Sequence, residues 1–483
     1  MRLTLRQVFI ILLFLGLFLM TLRPISDPDF WWHLRTGQMI AQDHIVPHVD
    51  PFSFSKFGEP WVAHEWLSEL ILYAIYQLGG FGLLIFIFSA LITGAFYIAY
   101  LRCPPESMPY IAGLTLLMGA LATAPAWGVR PQMLSLLLTS LFLYLLDCFH
   151  KTRRINWLIP LPIITLVWVN LHAGYFLGLT VIGIYIAGDL IEYVIAIIKK
   201  TQIPKTPTLN MILFLCSVLI ISVLATTINP NGIHILLYPF QTLTSQAMQQ
   251  FIYEWFSPDF HLLEWQPFVW FLLVMIGVGM FGKKPLSLTK LLLTLFFGYA
   301  ALHSMRHVPL FIIVAIPILA EMLDNLIRIR SSNTAPVGFL KWLLPILPIC
   351  AFLITSIRFM QVVRGQAESE AKNFPKNALD WILRNKPAGN LYNSYNWGGY
   401  IIWRLYPDYL VFIDGRADVY GDKFLYSFQD TYHAMPGWDQ SLDSIGINLV
   451  LIEQESGLAT TLRQSSSWKI VFEDNISTLF TRK

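Results

Sequence analysis

The sequence predicts a mainly α-helical, polytopic membrane protein with a smaller α/β domain outside the membrane at its C-terminal end. Its mean hydropathy is +0.56. Only 13% of its 483 residues are charged, against about 25% in a typical soluble domain. Apolar residues form runs of about 20, the length that spans about 30 Å of hydrocarbon. After about residue 365 the composition becomes that of a soluble domain, which predicts the smaller domain outside the membrane.

The apolar runs predict about eleven spans. The first, Leu3 to Leu22, follows Arg2 and Arg6 and lacks a small-x-small cleavage site, so a signal-anchor is expected rather than a cleaved signal peptide. The remaining runs lie near residues 80–101, 109–124, 131–149, 155–170, 174–198, 210–228, 267–282, 286–302, 308–327 and 342–360.

Basic residues give the expected orientation. With the N-terminus inside, the basic clusters all fall in cytoplasmic loops, as the positive-inside rule predicts. These clusters are Arg102, Lys151-Arg153-Arg154, Lys199-Lys200-Lys205, Lys283-Lys284 and Arg328-Arg330. Residues 23–79, 229–266 and everything after about 361 are then outside, in the periplasm or extracellular space. The net charge of +3 is small for this length and argues against nucleic acid as a partner.

Two domains are expected. Residues 1–360 would form the transmembrane domain, with two interfacial helices in the outer loop 23–79, and residues 365–483 the α/β domain. The first interfacial helix is expected from Phe30 to Gln42, capped by Asp29, with Trp31 and Trp32 at the level of the lipid headgroups. The second is expected from about Ala63, ahead of the glycines that precede the next span.

Asp27 and Asp29 are the leading catalytic candidates, because a carboxylate where the chain leaves a bilayer is costly to desolvate. Either could act as a general base on an acceptor hydroxyl, orient the acceptor or hold a divalent cation. The simpler alternative is a helix cap and a turn residue. Glu65, beside His64, is the second catalytic candidate, and His33 and His64 are candidate substrate contacts. The histidine spacing in this loop fits no standard metal signature, so no metal ligand is assigned and a divalent cation stays an open alternative.

The short outer turns supply further candidate substrate contacts. Arg130 and Arg306 oppose the inside preference of basic residues, and a phosphate or a nearby carboxylate would balance their charge; snorkelling to the interface is the alternative. The candidates in these turns are Arg130, His172, Asn229, His303, Arg306 and His307. Glu254, Asp259 and Glu264, in the 229–266 loop, could be substrate contacts, but a solvated loop face is the simpler expectation.

The tail is expected to alternate helices and strands. The expected elements are a helix at 368–386, a strand at 390–392, a helix at 399–405, a strand at 409–413, a strand at 448–452, a helix at 457–466 and strands at 468–472 and 477–480. Trp397, Asp414 and Arg416 stand in Gly-containing stretches that permit close backbone approach. Aromatic faces with polar neighbours suit a sugar ring; an ordinary turn is the alternative.

Five stretches carry a resemblance that covers nearly the whole chain. They are Asp27-Pro28-Asp29-Phe30-Trp31-Trp32-His33, Pro60-Trp61-Val62-Ala63-His64-Glu65-Trp66-Leu67, Arg306-His307-Val308-Pro309-Leu310, Asn396-Trp397-Gly398-Gly399-Tyr400 and Phe412-Ile413-Asp414-Gly415-Arg416. With the long first outer loop and the outer tail, they resemble the GT-C glycosyltransferase superfamily, and most closely a group of bacterial polytopic proteins within it. The superfamily includes protein O-mannosyltransferases, lipid A aminoarabinose transferases and oligosaccharyltransferase catalytic subunits.

The resemblance implies a polyprenyl-phosphate-linked sugar donor, transfer on the outer side of the cytoplasmic membrane and an acidic base at Asp27 or Asp29. Asn396 stands where the oligosaccharyltransferase acceptor motif has an acid, and Asp-Pro-Asp replaces the adjacent Asp-Glu pair of the mannosyltransferases. The expected function is a membrane glycosyltransferase acting on a glycan, lipid or protein acceptor. The alternatives are a flippase for lipid-linked sugars, which would carry ionisable residues near the midplane, and an inactive scaffold.

Overall fold

The computed structural model describes residues 3–104, 109–200, 207–282, 285–327 and 344–483. Helices dominate, and one four-stranded sheet lies in the C-terminal region. The chain divides into two compact units. The first comprises Met1–Arg23, Phe86–Leu236 and Tyr253–Gln361, and the second comprises Pro24–Ile85, Leu237–Ile252 and Val362–Lys483. The predicted division into 1–360 and 365–483 stays a prediction.

The first unit is a helical bundle. Its helices are Leu5–Thr21, the later part of Trp66–Arg102, Pro109–Thr123, Gln132–Thr152, Pro160–Leu171, Tyr175–Ile198, Leu209–Ala225, Gln266–Phe281, Leu288–His303, Val308–Ile327 and Ile346–Arg364. Short 3-10 turns join them at Ala124–Ala126, Ile155–Trp157, Gly232–Leu236, Tyr253–Trp255, Leu263–Trp265 and Met305–His307.

Seven helices of the described residues are long and apolar enough to cross a membrane, and four more are apolar but shorter. One of these helices lies at each predicted span, so the chain is a multi-pass membrane protein as predicted. The number of crossings and their orientation stay predictions. Part of the charge pattern behind that orientation lies outside the described residues, namely Arg2, Lys205, Lys283, Lys284, Arg328 and Arg330.

The centre of the bundle is the helix Val308–Ile327, whose residues from Val308 to Ala320 are all buried. It packs on Pro109–Thr123 at a glycine. A Cβ atom at Gly119 would lie 2.7 Å from Ile312 Cγ2, closer than side chains tolerate, so only glycine permits this approach.

The helix Trp66–Arg102 is interrupted at Gly79–Gly80. Gly80 has φ +59° and ψ −156°, a conformation that is essentially restricted to glycine. The predicted division between a loop helix and the span from Phe81 is confirmed, and it separates the polar first turns from the apolar remainder.

The second unit combines the first loop, a short middle segment and the tail. Its helices are Phe30–Asp43, the first part of Trp66–Arg102, Tyr238–Thr244, Gln246–Phe251, Gln366–Asn373, Lys376–Asn385, Gly398–Leu405, Ala417–Tyr432, Trp438–Ser444 and Gly457–Gln464, with a 3-10 turn at Tyr395–Trp397. The first loop helix is confirmed. The placement of Trp31 and Trp32 at the headgroups is wrong, because both rings are buried within the protein; Trp31 packs edge-on against Tyr400 with ring centroids 4.9 Å apart.

The sheet of the second unit is mixed. Its strands are β1 (Asn390–Asn393), β2 (Ile447–Glu453), β3 (Trp468–Glu473) and β4 (Ser477–Arg482), in the order β1-β2-β4-β3. β1 pairs parallel with β2, and the other two pairings are antiparallel. All four strands coincide with predicted strands.

Two predicted tail elements are wrong. The helix expected over 368–386 is two helices, because Pro375 ends the first and begins the second. The strand expected over 409–413 is irregular chain that makes only isolated bridges, Val411 with Leu391 and Val411 with Ser53. The apolar residues there are buried without a strand partner along their length, which periodicity does not reveal.

Candidate functional site

Asp27 and Asp29 lie half-buried at the start of the helix Phe30–Asp43. The Asp29 backbone N–H donates to Asp27 Oδ1 at 2.8 Å, so Asp27 shapes the turn. The Asp29 side chain makes no capping hydrogen bond. Instead, Trp32 Nε1–H donates to Asp29 Oδ1 at 3.1 Å. The alternative of Asp29 as a simple helix cap is therefore wrong.

Two glycines of the tail receive this acidic turn. A Cβ atom at Gly415 would lie 1.7 Å from Asp29 Oδ1, and one at Gly399 would lie 2.5 Å from the Pro28 carbonyl oxygen. Neither glycine has a left-handed φ, so close contact rather than backbone conformation requires glycine at both places. The tail stretches that contain Gly399 and Gly415 thus pack directly against the acidic turn Asp27-Pro28-Asp29.

One turn further along the helix, His33 lies between two glutamates. His33 Nε2 is 3.4 Å from Glu65 Oε2, and His33 Nδ1 is 3.2 Å from Glu69 Oε1. Gly37 permits the approach of the two helices, because a Cβ atom there would lie 2.0 Å from the Glu69 carbonyl oxygen. The structure therefore brings His33 and Glu65 together, as their shared loop suggested. Glu69, which follows Glu65 by one helical turn, joins them.

His64 connects this cluster to the tail through Tyr238. Its Nε2 is 3.8 Å from Glu65 Oε1, and its ring lies 4.2 Å from that of Tyr238 between centroids. The Tyr238 hydroxyl in turn donates a hydrogen bond to the Asp418 carboxylate. Burial raises the pKa of Asp418 to about 6, and the nearby Arg416 only partly offsets this.

Asp414 and Arg416 are fully buried and bind each other. Arg416 Nε and Nη2 donate to the two Asp414 oxygens at 2.8 and 2.6 Å, and Nη2 also lies 2.8 Å from Asp50 Oδ1. The guanidinium is stacked between the rings of Phe52 and Trp61, at 5.0 and 4.6 Å from their centroids. Such a paired charge holds the first loop to the tail. The predicted substrate contact of Asp414 and Arg416 stays a prediction, and in this conformation neither charged group faces solvent.

Trp397 is also buried, with its Nε1–H donating to the Asn373 carbonyl oxygen at 3.2 Å. Its neighbour Asn396 is exposed. In the Asn396-Trp397 pair, the amide rather than the indole is therefore accessible.

The first unit holds a separate polar corner at Arg130, Glu254, Trp255 and Arg306. Arg130 Nη1 forms an ion pair with Glu254 Oε1, and the Arg306 guanidinium lies 4.6 Å from the Trp255 ring centroid. Burial acts to raise the pKa of Glu254, but the charges of Arg130 and Arg306 outweigh it and hold that pKa below its ordinary value. The carboxylate expected as one possible partner of Arg130 is thus Glu254, whose side chain keeps 33% of its surface exposed.

The remaining candidates of the first unit differ in accessibility. His303 is exposed and its ring stacks 5.9 Å from that of Tyr299, and His307 follows Arg306 beside Trp255. His172 is buried, and its Nδ1 is 2.8 Å from Ser135 Oγ. Asn229 closes its own turn through hydrogen bonds to the Thr226 and Gly232 carbonyl oxygens and from the Asn231 N–H. His172 and Asn229 thus both make hydrogen bonds that stabilise the local structure.

Four polar residues of the second unit were not among the predicted site residues: Asp50, Glu69, Tyr238 and Asp418. Glu69 carried a usable signal, because it shares a helix face with Glu65 at i, i+4. Asp418 lies two residues after Arg416 in the sequence. Asp50 and Tyr238 come from separate parts of the chain, and only the tertiary fold brings them to Arg416 and His64.

No model of a known protein family matches the chain, and no curated protein matches it. Solved structures do. ArnT from Cupriavidus metallidurans bound to undecaprenyl phosphate is similar with a TM-score of 0.55 and 11% identity, over 97% of this chain and 96% of that chain. ArnT in the apo state gives a TM-score of 0.54 and 13% identity, over 96% of both chains.

The archaeal oligosaccharyltransferase AglB from Archaeoglobus fulgidus, in complex with an inhibitory peptide and a dolichol-phosphate, is also similar. Its TM-score is 0.54 at 12% identity, over 93% of this chain and 69% of that chain. This chain has a GT-C fold. At these identities the likeness establishes the fold, as the sequence resemblance predicted, while the chemistry depends on this chain's own residues.

Proposed function

We propose that this protein is a membrane glycosyltransferase that transfers a sugar from a polyprenyl-phosphate-linked donor to an acceptor. One observation carries the proposal: in a chain with a GT-C fold, the carboxylates of Asp27 and Asp29 are held half-buried at a helix start against glycines of the tail. Two of the structures with the same fold contain undecaprenyl phosphate or dolichol-phosphate, which supports a lipid-linked donor.

Asp29 is the proposed general base. Its Oδ1 accepts the Trp32 indole N–H, which fixes the carboxylate, whereas Asp27 Oδ1 is engaged with the backbone. In the proposed reaction, Asp29 accepts the proton of an acceptor hydroxyl as its oxygen bonds to the anomeric carbon. The bond from that carbon to the phosphate oxygen breaks, and the polyprenyl phosphate leaves with the electron pair. A positioned base contributes about 10²–10⁴ in rate.

The polar corner of the first unit is the proposed phosphate-binding group. Arg130 and Arg306 both act on the Glu254 carboxylate, so these three side chains together carry one net positive charge. Guanidinium groups bind phosphate well because their donors match its oxygens. A cation near the leaving phosphate would stabilise the charge that develops as the sugar departs, and His303 and His307 would add donors.

The proposed setting is the cytoplasmic membrane with the N-terminus inside and the tail outside, on the basis of the positive-inside pattern. Neither named structural relative favours the alternatives of a flippase or an inactive scaffold.

The test is mass spectrometry of lipid-linked sugars and envelope glycans in a deletion strain of the source organism. The strain is complemented with wild type, Asp29→Asn, Asp27→Asn/Asp29→Asn, or Asp43→Asn as a matched control, since Asp43 is exposed at the far end of the same helix. We expect deletion and both Asp29 variants to lose one sugar from a glycan and to accumulate its lipid-linked donor, while the control restores both. Full restoration by the double variant at wild-type protein levels would remove these aspartates from the mechanism.

A further inference from the structure

His33, Glu65 and Glu69 form a buried cluster of one imidazole and two carboxylates. Exposed fractions are 2% for His33, 5% for Glu65 and 0% for Glu69. Even a fully protonated imidazole supplies one positive charge against two carboxylates. Arg416, the buried cation of the same unit, is already bonded to two other carboxylates, Asp50 and Asp414.

One carboxylate oxygen of the cluster accepts no hydrogen bond from the described residues. Glu69 Oε1 faces His33, but the buried Oε2 of the same carboxylate has no hydrogen-bond partner in the part of the chain that the structure describes. A buried polar atom is rarely left so in a folded protein, and a bound ion or water is one established reason for it. The orphaned oxygen belongs to the same carboxylate that lies against the imidazole, so it marks the position at which an additional group would bind.

The three side chains match the donors of a divalent transition-metal site. One ligand atom from each can be chosen so that all three lie within 4.8 Å of one another. Ligands of a tetrahedral zinc ion are about 2.0–2.2 Å from the metal, so binding requires the side chains to close by about 1 Å. One imidazole nitrogen with two carboxylates is a donor set for zinc or manganese. Three protein ligands leave a coordination position for water or a substrate.

The groups around the cluster are those that support metal ligands. The His64 Nε2 lies 3.8 Å from Glu65 Oε1, and the Trp32 ring lies over His33 with centroids 3.6 Å apart. Such outer contacts fix the orientation of the ligating side chains. Gly37 fixes the spacing of the two helices that carry the ligands.

We propose that His33, Glu65 and Glu69 bind one divalent transition-metal ion, zinc or manganese. The two carboxylates and a neutral imidazole would balance the charge of the ion. The site crosslinks the helix Phe30–Asp43 to the beginning of Trp66–Arg102. Because Trp32 joins His33 to Asp29, the ion would also stiffen the acidic turn. The metal site does not depend on the proposed transfer reaction, and its test needs no substrate.

The test uses the purified full-length protein in detergent. The protein is stripped with a chelator, loaded separately with Zn²⁺ and Mn²⁺ and desalted, and its bound metal is then measured by mass spectrometry. We expect about one equivalent of one of these ions in wild type and at least about a 100-fold loss of affinity in Glu65→Gln, Glu69→Gln and His33→Ala. The matched control is Glu59→Gln, an exposed acid of the same loop, which should bind like wild type. Metal should raise the Tm of wild type and of the control but not that of Glu69→Gln.

Two results would overturn the proposal. One is wild-type protein that retains less than about a tenth of an equivalent of either ion. The other is Glu69→Gln binding as tightly as wild type. Loading the wild-type protein with Co²⁺ tests the site without any variant whose folding could fail. The visible absorption bands of four- or five-coordinate cobalt would support the site. The weak spectrum of hexa-aqua cobalt alone would contradict it.

Discussion

Gly415→Ala should uncouple the tail from the acidic turn. The new Cβ would lie 1.7 Å from Asp29 Oδ1, whereas ordinary contact begins at 3.4 Å. The Asp29 carboxylate must therefore rotate away and lose the charge-assisted hydrogen bond from Trp32, worth about 1.5–3 kcal/mol. With some relief by repacking, we expect a loss of about 2–4 kcal/mol in the free energy of unfolding. A displacement of about 1 Å at a catalytic base costs on the order of 100-fold in rate.

The assay is a double-mutant cycle on thermal unfolding in detergent, together with the glycan readout of the complemented deletion strain. In an Asp29→Ala background the obstructing oxygen is gone, so Gly415→Ala should cost much less there than in wild type, with a coupling of at least about 1 kcal/mol. Gly183→Ala is the control, because a Cβ atom there meets nothing within 4 Å. If Gly415→Ala lowers the free energy of unfolding equally in both backgrounds, contact with Asp29 is not the reason that residue 415 is glycine.

Three further predictions concern charged groups. Arg416→Met should lower the free energy of unfolding by about 3–5 kcal/mol, because it leaves two buried carboxylates without their cation; a Tm within error of wild type would contradict this. Burial raises the pKa of Asp418 to about 6, above its unfolded value, so wild type should lose at most about 3 kcal/mol of stability as pH rises from about 4 to 6. Asp418→Asn should flatten that slope in Tm measured against pH, and an unchanged slope would remove Asp418 as its source. Arg130→Gln leaves the proposed phosphate-binding group with one cation, Arg306, against the Glu254 carboxylate and so removes its net positive charge. Binding of polyprenyl phosphate should then weaken about tenfold, and unchanged affinity would remove Arg130 from the group.

The sequence predicted the elements that local pattern determines. Apolar run length located the membrane helices, and the glycine pair at Gly79–Gly80 located the break after the loop helix. Alternation located all four strands of the sheet. It failed at 409–413, where a buried apolar segment has the composition of a strand but only isolated bridge partners. It also missed the helix break at Pro375, which lay inside an otherwise helical pattern.

The candidate site was predictable only where its residues are neighbours in sequence. Asp27, Asp29 and His33 lie within seven consecutive residues at the start of the first loop helix. The role of Gly415 as the residue that admits Asp29 was not predictable, since 386 positions separate the two and a turn explained the glycine equally well. Trp31 was misplaced for a related reason. An aromatic residue at a span end is typical of the interface, and the partners that bury it, Phe374 and Tyr400, belong to the tail.

The second unit has a consequence for how the protein is made. Ile25 exchanges two hydrogen bonds with the side chain of Gln366, 341 residues later. At about 5–20 residues per second, the ribosome needs tens of seconds to supply that partner. During this time the first loop exists without the glycines, the cation and the strands that complete it. A premature stop anywhere before the tail would therefore yield a chain whose membrane helices are present but whose acidic turn is never enclosed.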